Sequence, residues 1–557
     1  MSTQVTTTAT GNTLRRSVGL FGLTMISLGS IIGSGWLLGA YKGATHAGPA
    51  SVLSWLLAAA MLVVLALIHA ELGAAYPIAG GTARFPAFAF GTLTGFIAGW
   101  TGWLQAVGLA PIEVEASLTY LNNIGWISRN LHLLNPDSTL TSSGIGWASV
   151  LMVIFTVINA VGVKALSDSN SITMIWKVAV PVLTVVILLS VSFHPGNFTA
   201  GGGFAPYGAH GVFAALPAGV VFALQGFEQC IQLGGEARNP QKDISRAVVI
   251  SMLIGVVIYI ALEMAFVGSL DPSNLVHGWA TPIEKGAFGP YATLAIAAGA
   301  GWLSYILYAD AFISPTGTGL VYVGTTARLS YAMGQAGELP GFLGKVSKRG
   351  IPLGSVIAAF VVGEVMFLPF PSWQVLVTLV TSATAFMYAF APLALTALRR
   401  NDPHRHRPYR LPAARVLAPV GFVSANLIVY WGGFDTTWRV ILGLAFGVAL
   451  FAVNRAFNKD RDPISKADWR GVRWVPVWLL GLLVIGWLGR YDSGASAHGG
   501  ELNLLPEWWD LLVVIVFSLV IYFWAVRQAA PSEQIAEFVA DDEAKLAVFP
   551  GEELQDA

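Results

Sequence analysis

The stretch Ser27-Leu28-Gly29-Ser30-Ile31-Ile32-Gly33-Ser34-Gly35 decides how the chain is read. It sits in the middle of the first apolar segment, between Val18–Met25 and Trp36–Tyr41, and the whole is long enough to span a bilayer. Its centre carries three glycines and three serines, poor material for an unbroken helix. In hydrocarbon an unsatisfied N–H or C=O costs several kcal/mol. Backbone therefore leaves the helix at that depth mainly where it lines a cavity, as in transporters whose half-helix ends hold a substrate. The same composition also suits close helix packing, so the segment alone leaves both readings open.

Composition sets the class. Hydrophobic residues make up 55% and charged residues 11% of the 557 residues, with a mean hydropathy of +0.65, which excludes a soluble protein. Apolar runs of about 20 residues, enough for a hydrocarbon core of about 30 Å, recur along almost the whole chain. A single cysteine, Cys230, excludes an intramolecular disulfide framework and a multi-cysteine metal site. No metal, cofactor or nucleic-acid partner is expected; the neutral net charge is silent about partners. The polar tail Met1–Thr13 and Arg15-Arg16 precede the first segment without a small-residue cleavage site, so that segment reads as a retained span.

About fourteen spans are expected, near 17–41, 49–75, 91–123, 145–163, 172–193, 212–235, 245–268, 291–323, 353–370, 373–398, 413–433, 437–457, 474–490 and 508–527. Lys and Arg collect in alternate loops: 25 fall on the side of the N-terminus and five on the other, with Lys177 alone inside a span. The positive-inside rule then places both termini in the cytoplasm, and the cell (inner) membrane is the expected location. The acidic tail 528–557 reads as a solvated or short-helical appendage, and the basic loop Arg399–Arg415 as a linker facing anionic lipid. His404 and His406 in that loop read as solvated rather than as metal ligands.

The sixth span supplies a second interruption, where Gln225, Gly226, Glu228, Gln229 and Gln232 fall in an otherwise apolar helix. Spans one and six are five apart, as expected of two inverted five-helix repeats that each begin with a broken helix. The expected organisation is a cytoplasmic tail (1–16), two repeats (17–200 and 201–400), four further helices (401–527) and the tail (528–557). The fold class is thus an all-α polytopic membrane protein.

Polar residues at bilayer depth are functional candidates by default, because placing them there is costly. Asn170, Thr173, Lys177, Pro181 and Thr184 form one stripe along span five. Lys177 is either a proton-coupling group or a side chain that snorkels to the nearer interface. Among the acids, Glu113, Glu115, Glu263, Asp310 and Glu364 each suit a structural hydrogen-bonding role, whereas Glu228 lies in an interruption. Glu228 and Asp310 join Lys177 as proton-coupling candidates. His69 and Glu71 at the end of span two are expected to cap or pair there. The Ser314-Pro315-Thr316-Gly317-Thr318-Gly319 run is expected to soften span eight.

Three motifs carry a resemblance. Gly33-Ser34-Gly35, then Ala70-Glu71-Leu72 with Tyr76-Pro77-Ile78-Ala79-Gly80-Gly81-Thr82, then Gly226-Phe227-Glu228 with Gly235-Glu236-Ala237-Arg238-Asn239-Pro240, resemble the amino acid–polyamine–organocation superfamily of permeases. Ala110-Pro111-Ile112-Glu113-Val114-Glu115-Ala116 and the run after Ser314 look like the bacterial subgroup that includes aspartate–proton symporters. The resemblance implies a five-plus-five inverted-repeat core with broken helices 1 and 6. It also implies that an amino acid's carboxylate meets backbone N–H groups and the hydroxyl around Gly33, Ser34 and Gly35, at the positive end of a half-helix. The ammonium would meet carbonyls near Ser30, Ile31, Phe222 and Gln225, with Gly226 and Glu228 behind them and Phe222 as an aromatic lid. Lys177 matches the lysine that in proton-coupled members replaces a sodium ion, and Ser314 and Thr318 are possible remnants of an ion site.

The implied function is proton-coupled amino acid uptake. Partners are an amino acid, a proton and membrane lipid. An acidic substrate needs a second cation in the pocket, and helix six offers Glu228 instead, which leaves neutral and cationic amino acids open. An amino acid or polyamine exchanger is the alternative within transport. A channel is disfavoured by the lack of filter repeats, and a membrane enzyme by the lack of a catalytic cluster or a long extracytoplasmic loop.

Overall fold

The computed structural model describes residues 18–78, 80–161, 164–283, 289–347, 351–368, 372–458, 464–491, 501–506 and 508–547. The expected tails before Ser17 and after Ala547, and the side chain of Asn170, lie outside the described residues. The described chain is helical, with isolated bridges and no strands. Its first part runs through α1 (Leu20–Ile31), α2 (Gly35–Ala47), α3 (Ser51–Ala75), α4 (Gly81–Phe90), α5 (Thr92–Leu121), α6 (Gly125–Leu131), α7 (Ser142–Val161) and α8 (Lys164–Val191). There follow α9 (Gly208–Ala214), a π-helical turn (Leu216–Val220), α10 (Val221–Ala223), α11 (Gln229–Gln232), α12 (Pro240–Ser269), α13 (Pro290–Ala297), α14 (Gly301–Gln335), α15 (Leu353–Met366) and α16 (Trp373–Asn401). The last are α17 (Ala414–Trp431), α18 (Gly433–Phe457), α19 (Lys466–Val472), α20 (Trp474–Leu488), α21 (Trp509–Arg527) and α22 (Ser532–Ala547).

Among the described residues, nine helical stretches are long and apolar enough to cross a membrane. The other expected spans fall on helices that are short, such as α1 and α15, or more polar along their length, such as α5 and α14. The outward faces of α7, α18 and α21 carry exposed apolar residues, among them Val153, Val157, Phe446, Val516 and Val520. Water would make such a surface unstable, whereas lipid does not. The protein is a multi-pass membrane protein.

The core is built around α5, which packs along α14 and α16, while α3 packs along α12 and α1 lies against α12. α14 runs as one helix of 35 residues through Pro315. This corrects the expectation of a softened span: one proline removes a single N–H donor, and neighbouring helices in a membrane core can supply the freed carbonyl with other partners. Beyond α16, α17 packs on α16 and α3, and α21 on α17.

Candidate functional site

Two interruptions meet at the centre of the molecule. α1 ends at Ile31, Ile32 leaves helical geometry (φ −90°, ψ 79°), and α2 starts at Gly35. Gly33 N–H turns back onto the Ile31 carbonyl at 3.2 Å. Side chains far away in sequence take up the exposed backbone groups. Lys177 Nζ on α8 donates to the Gly29 carbonyl at 2.6 Å and to Thr318 Oγ1 on α14 at 2.7 Å. Tyr259 Oη on α12 donates to the Ile31 carbonyl at 2.8 Å. At the start of α2, the Ser34 N–H donates to Glu113 Oε2 at 2.8 Å, and Ser34 Oγ accepts from Trp373 Nε1 at 3.1 Å. Cations at a helix C-terminus and anions at an N-terminus both suit the local dipole.

The second interruption separates α10 from α11. Gly226 has φ +115°, and a Cβ there would stand 2.8 Å from Ser30 C and 2.9 Å from Ile31 N. Only glycine therefore allows this loop to lie across the end of α1. Glu228 holds the loop: its Oε2 accepts from Gly226 N–H at 3.1 Å and from Tyr388 Oη at 2.6 Å. Ser27 Oγ donates to the Phe227 carbonyl at 3.0 Å and accepts from Cys230 N–H at 3.2 Å, so the two interruptions are bonded to one another. Cys230 is fully buried there.

Between them lies a small, nearly closed cavity of about 10 Å³ lined by Ser30, Ile31, Gly33, Gly35, Phe222 and Gln225, with Leu109, Glu113 and Tyr322 completing it. Six of the nine substrate-binding residues expected from the sequence are thus wall residues. Ser34 stands just behind, bonded to Glu113, and Gly226 and Glu228 lock the second loop. Phe222 packs edge-on to Trp373 with ring centroids 5.9 Å apart. The side-chain amide of Gln225 is buried and makes no hydrogen bond among the described residues. A buried amide without a partner is expensive, and here the residue that carries it lines the cavity.

Asp310 is a tie rather than a wall. Its carboxylate accepts from Trp36 Nε1 at 3.0 Å, Trp176 Nε1 at 2.7 Å and Ser314 Oγ at 2.7 Å, which joins α2, α8 and α14 one residue from Lys177. Glu263 likewise accepts from Ser51 and, at 2.7 Å, from Trp55. Glu71 pairs with Arg399 and lies 3.5 Å from Arg407 Nε. It also accepts from Leu411 N–H at 2.6 Å, so this part of the loop after α16 is docked on α3 rather than solvated. His404 and His406 in the same loop are exposed. Pairing for Glu71 was expected; docking of Arg407 was not, because only the fold brings the loop against α3.

Sequence reasoning missed the placement of Glu113 in the cavity wall, and it did not single out Tyr259 or Tyr322. The cost of a carboxyl at bilayer depth was the available signal for Glu113, but it could not say which way α5 faces.

Residues 18–451 match the family model described as amino acid permease. The chain belongs to the amino acid permease family. It is 37% identical over 536 residues to the glutamate/serine transporter AimA of Bacillus subtilis, covering 94% of this chain and 96% of that one. It is 34% identical over 528 residues to the aspartate-proton symporter of the same organism, with 94% and 98% covered. The branched-chain amino acid permease BcaP of Lactococcus lactis is 29% identical over 455 residues, with 76% and 91% covered. This permease is accordingly a transporter and not an enzyme.

Proposed function

We propose that this permease takes up an amino acid together with a proton, by alternating access around the cavity between the two interruptions. The observation that carries the reading is Lys177, whose ammonium bridges the Gly29 carbonyl and Thr318 at the end of α1. A proton leaving this ammonium would remove a donor from the end of α1, linking protonation to the very segment that contacts substrate. Asp310, tied to α2 and α8 next to Lys177, would transmit the change.

In this reading α1 and α2 are the two halves of the first helix of one five-helix repeat (17–200), and α9 to α11 those of the sixth helix, which opens the second repeat (201–400). The substrate's carboxylate would lie at the N-terminal end of α2, at Gly33, Ser34 and Gly35. Its ammonium would face the Ser30 and Ile31 backbone, with Gln225 beside it, Phe222 above, and Gly226 and Glu228 fixing the loop. Both termini would be cytoplasmic. The names of the relatives point to glutamate, serine and aspartate. Glu113 is the carboxyl group in the described wall, which fits the side chain of serine better than an ionised acidic one.

Uptake of radiolabelled L-serine, L-glutamate and L-aspartate into proteoliposomes, with and without an inward proton gradient, tests this directly. Accumulation that needs the gradient supports symport. Flux only with amino acid on both sides replaces symport by exchange, and no uptake of any of the twenty amino acids overturns the transport reading.

A further inference from the structure

One wall residue already does what a substrate is expected to do. Glu113 Oε2 accepts the Ser34 N–H at 2.8 Å, at the first turn of α2, where a bound carboxylate would sit. Its other oxygen lies so close to Gly33 that a Cβ there would stand 2.6 Å from it, and the same Cβ would stand 3.0 Å from Thr318 Oγ1. Gly33 is therefore the gap through which the carboxylate reaches the backbone. Beside it the Gln225 amide, buried and unpartnered, borders the same cavity. The anion position is filled from within, while a donor and an acceptor next to it wait for a ligand.

We propose that Glu113 is a tethered competitor: its carboxylate holds the anion position at the start of α2 until the carboxylate of an incoming amino acid displaces it. This rests on the transporter reading of the same cavity and deepens it. Glu113 is carried by α5, a 30-residue helix packed between α14 and α16, so its backbone is fixed and only its side chain needs to turn away. An empty permease would then keep its interrupted helix satisfied without a substrate. Affinity for substrate would be the difference between two carboxylates competing for one N–H.

The test is equilibrium binding of tritiated L-serine and L-glutamate to the purified full chain, at one fixed pH, for the unaltered protein, Glu113→Ala and Glu113→Gln. Removal of the competitor lowers Kd at least about fivefold in Glu113→Ala, the order set by one hydrogen bond. Glu113→Gln shows a smaller gain, since its amide oxygen still reaches Ser34. The ligand-free thermal midpoint falls in Glu113→Ala, and the ligand-induced rise grows. An unchanged Kd, or weaker binding in whichever variants keep a cooperative thermal transition, overturns the proposal and makes Glu113 part of the substrate's own binding site. If Glu113→Ala does not fold, Glu113→Gln decides alone. Should the unaltered chain neither bind nor take up any amino acid, the transporter reading fails first and the competitor falls with it.

Discussion

The two interruptions solve one problem in opposite ways. Where α1 gives way to α2, the loose backbone groups are held from afar, by Lys177, Thr318, Tyr259 and Glu113 on four other helices. Between α10 and α11 the loop is held largely from within, through Glu228 two residues from Gly226, with Tyr388 and Ser27 as its outside partners. Remote support makes the first interruption responsive: each partner sits on a different helix, so a change at any one of them reaches the same stretch of backbone. Local support makes the second a fixed surface against which the first is positioned.

The comparison breaks most severely at Gly226. In Gly226→Ala the new Cβ meets the backbone of Ser30 and Ile31, which cannot swing aside. Strain at positive φ and overpacking together cost about 2–6 kcal/mol. Loss of folded protein on size exclusion is the expected outcome; a normal elution profile and thermal midpoint would contradict a rigid crossing. Lys177→Ala removes the donor to Gly29 and Thr318, so the exposed carbonyl costs about 1–3 kcal/mol, and gradient-driven uptake falls to background. Uptake with unaltered gradient dependence removes Lys177 from the coupling. Tyr388→Phe leaves Glu228 with its own loop and costs about 1–3 kcal/mol, read as a lower thermal midpoint, with uptake retained. The smallest change in stability is expected from Gln225→Leu, within about 0.5 kcal/mol of the parent, since no protein hydrogen bond is lost. Its amino acid affinity should nonetheless drop, which isothermal titration would reveal.

Much of this contrast was visible in the sequence. Glycines and serines in Ser27–Gly35, and glutamines and Glu228 in the sixth segment, stand out against apolar surroundings, and the helices stop there. Lys177 stood out as the one cation inside a span. What the sequence hides is rotation and distance. Glu113 and Glu115 are two residues apart, yet Glu113 meets Ser34 while Glu115 is buried with both oxygens unpaired in the described structure. Nothing in their spacing says which faces the cavity. The contact between Gly226 and Ser30 likewise depends on two loops crossing nearly 200 residues apart. Pro315 misleads for the opposite reason, since a local breaker is overruled by the packing of α14 against α5.

Cys230 gives the two crossing loops a built-in reporter. It is the chain's only thiol, and its sulfur is enclosed at the seam where Ser27 joins the Phe227 carbonyl to the Cys230 N–H. An alkylating reagent can reach it only when that seam parts. The unmodified protein can therefore be labelled without engineering, its rate of maleimide capture timing how often the centre of the permease comes open.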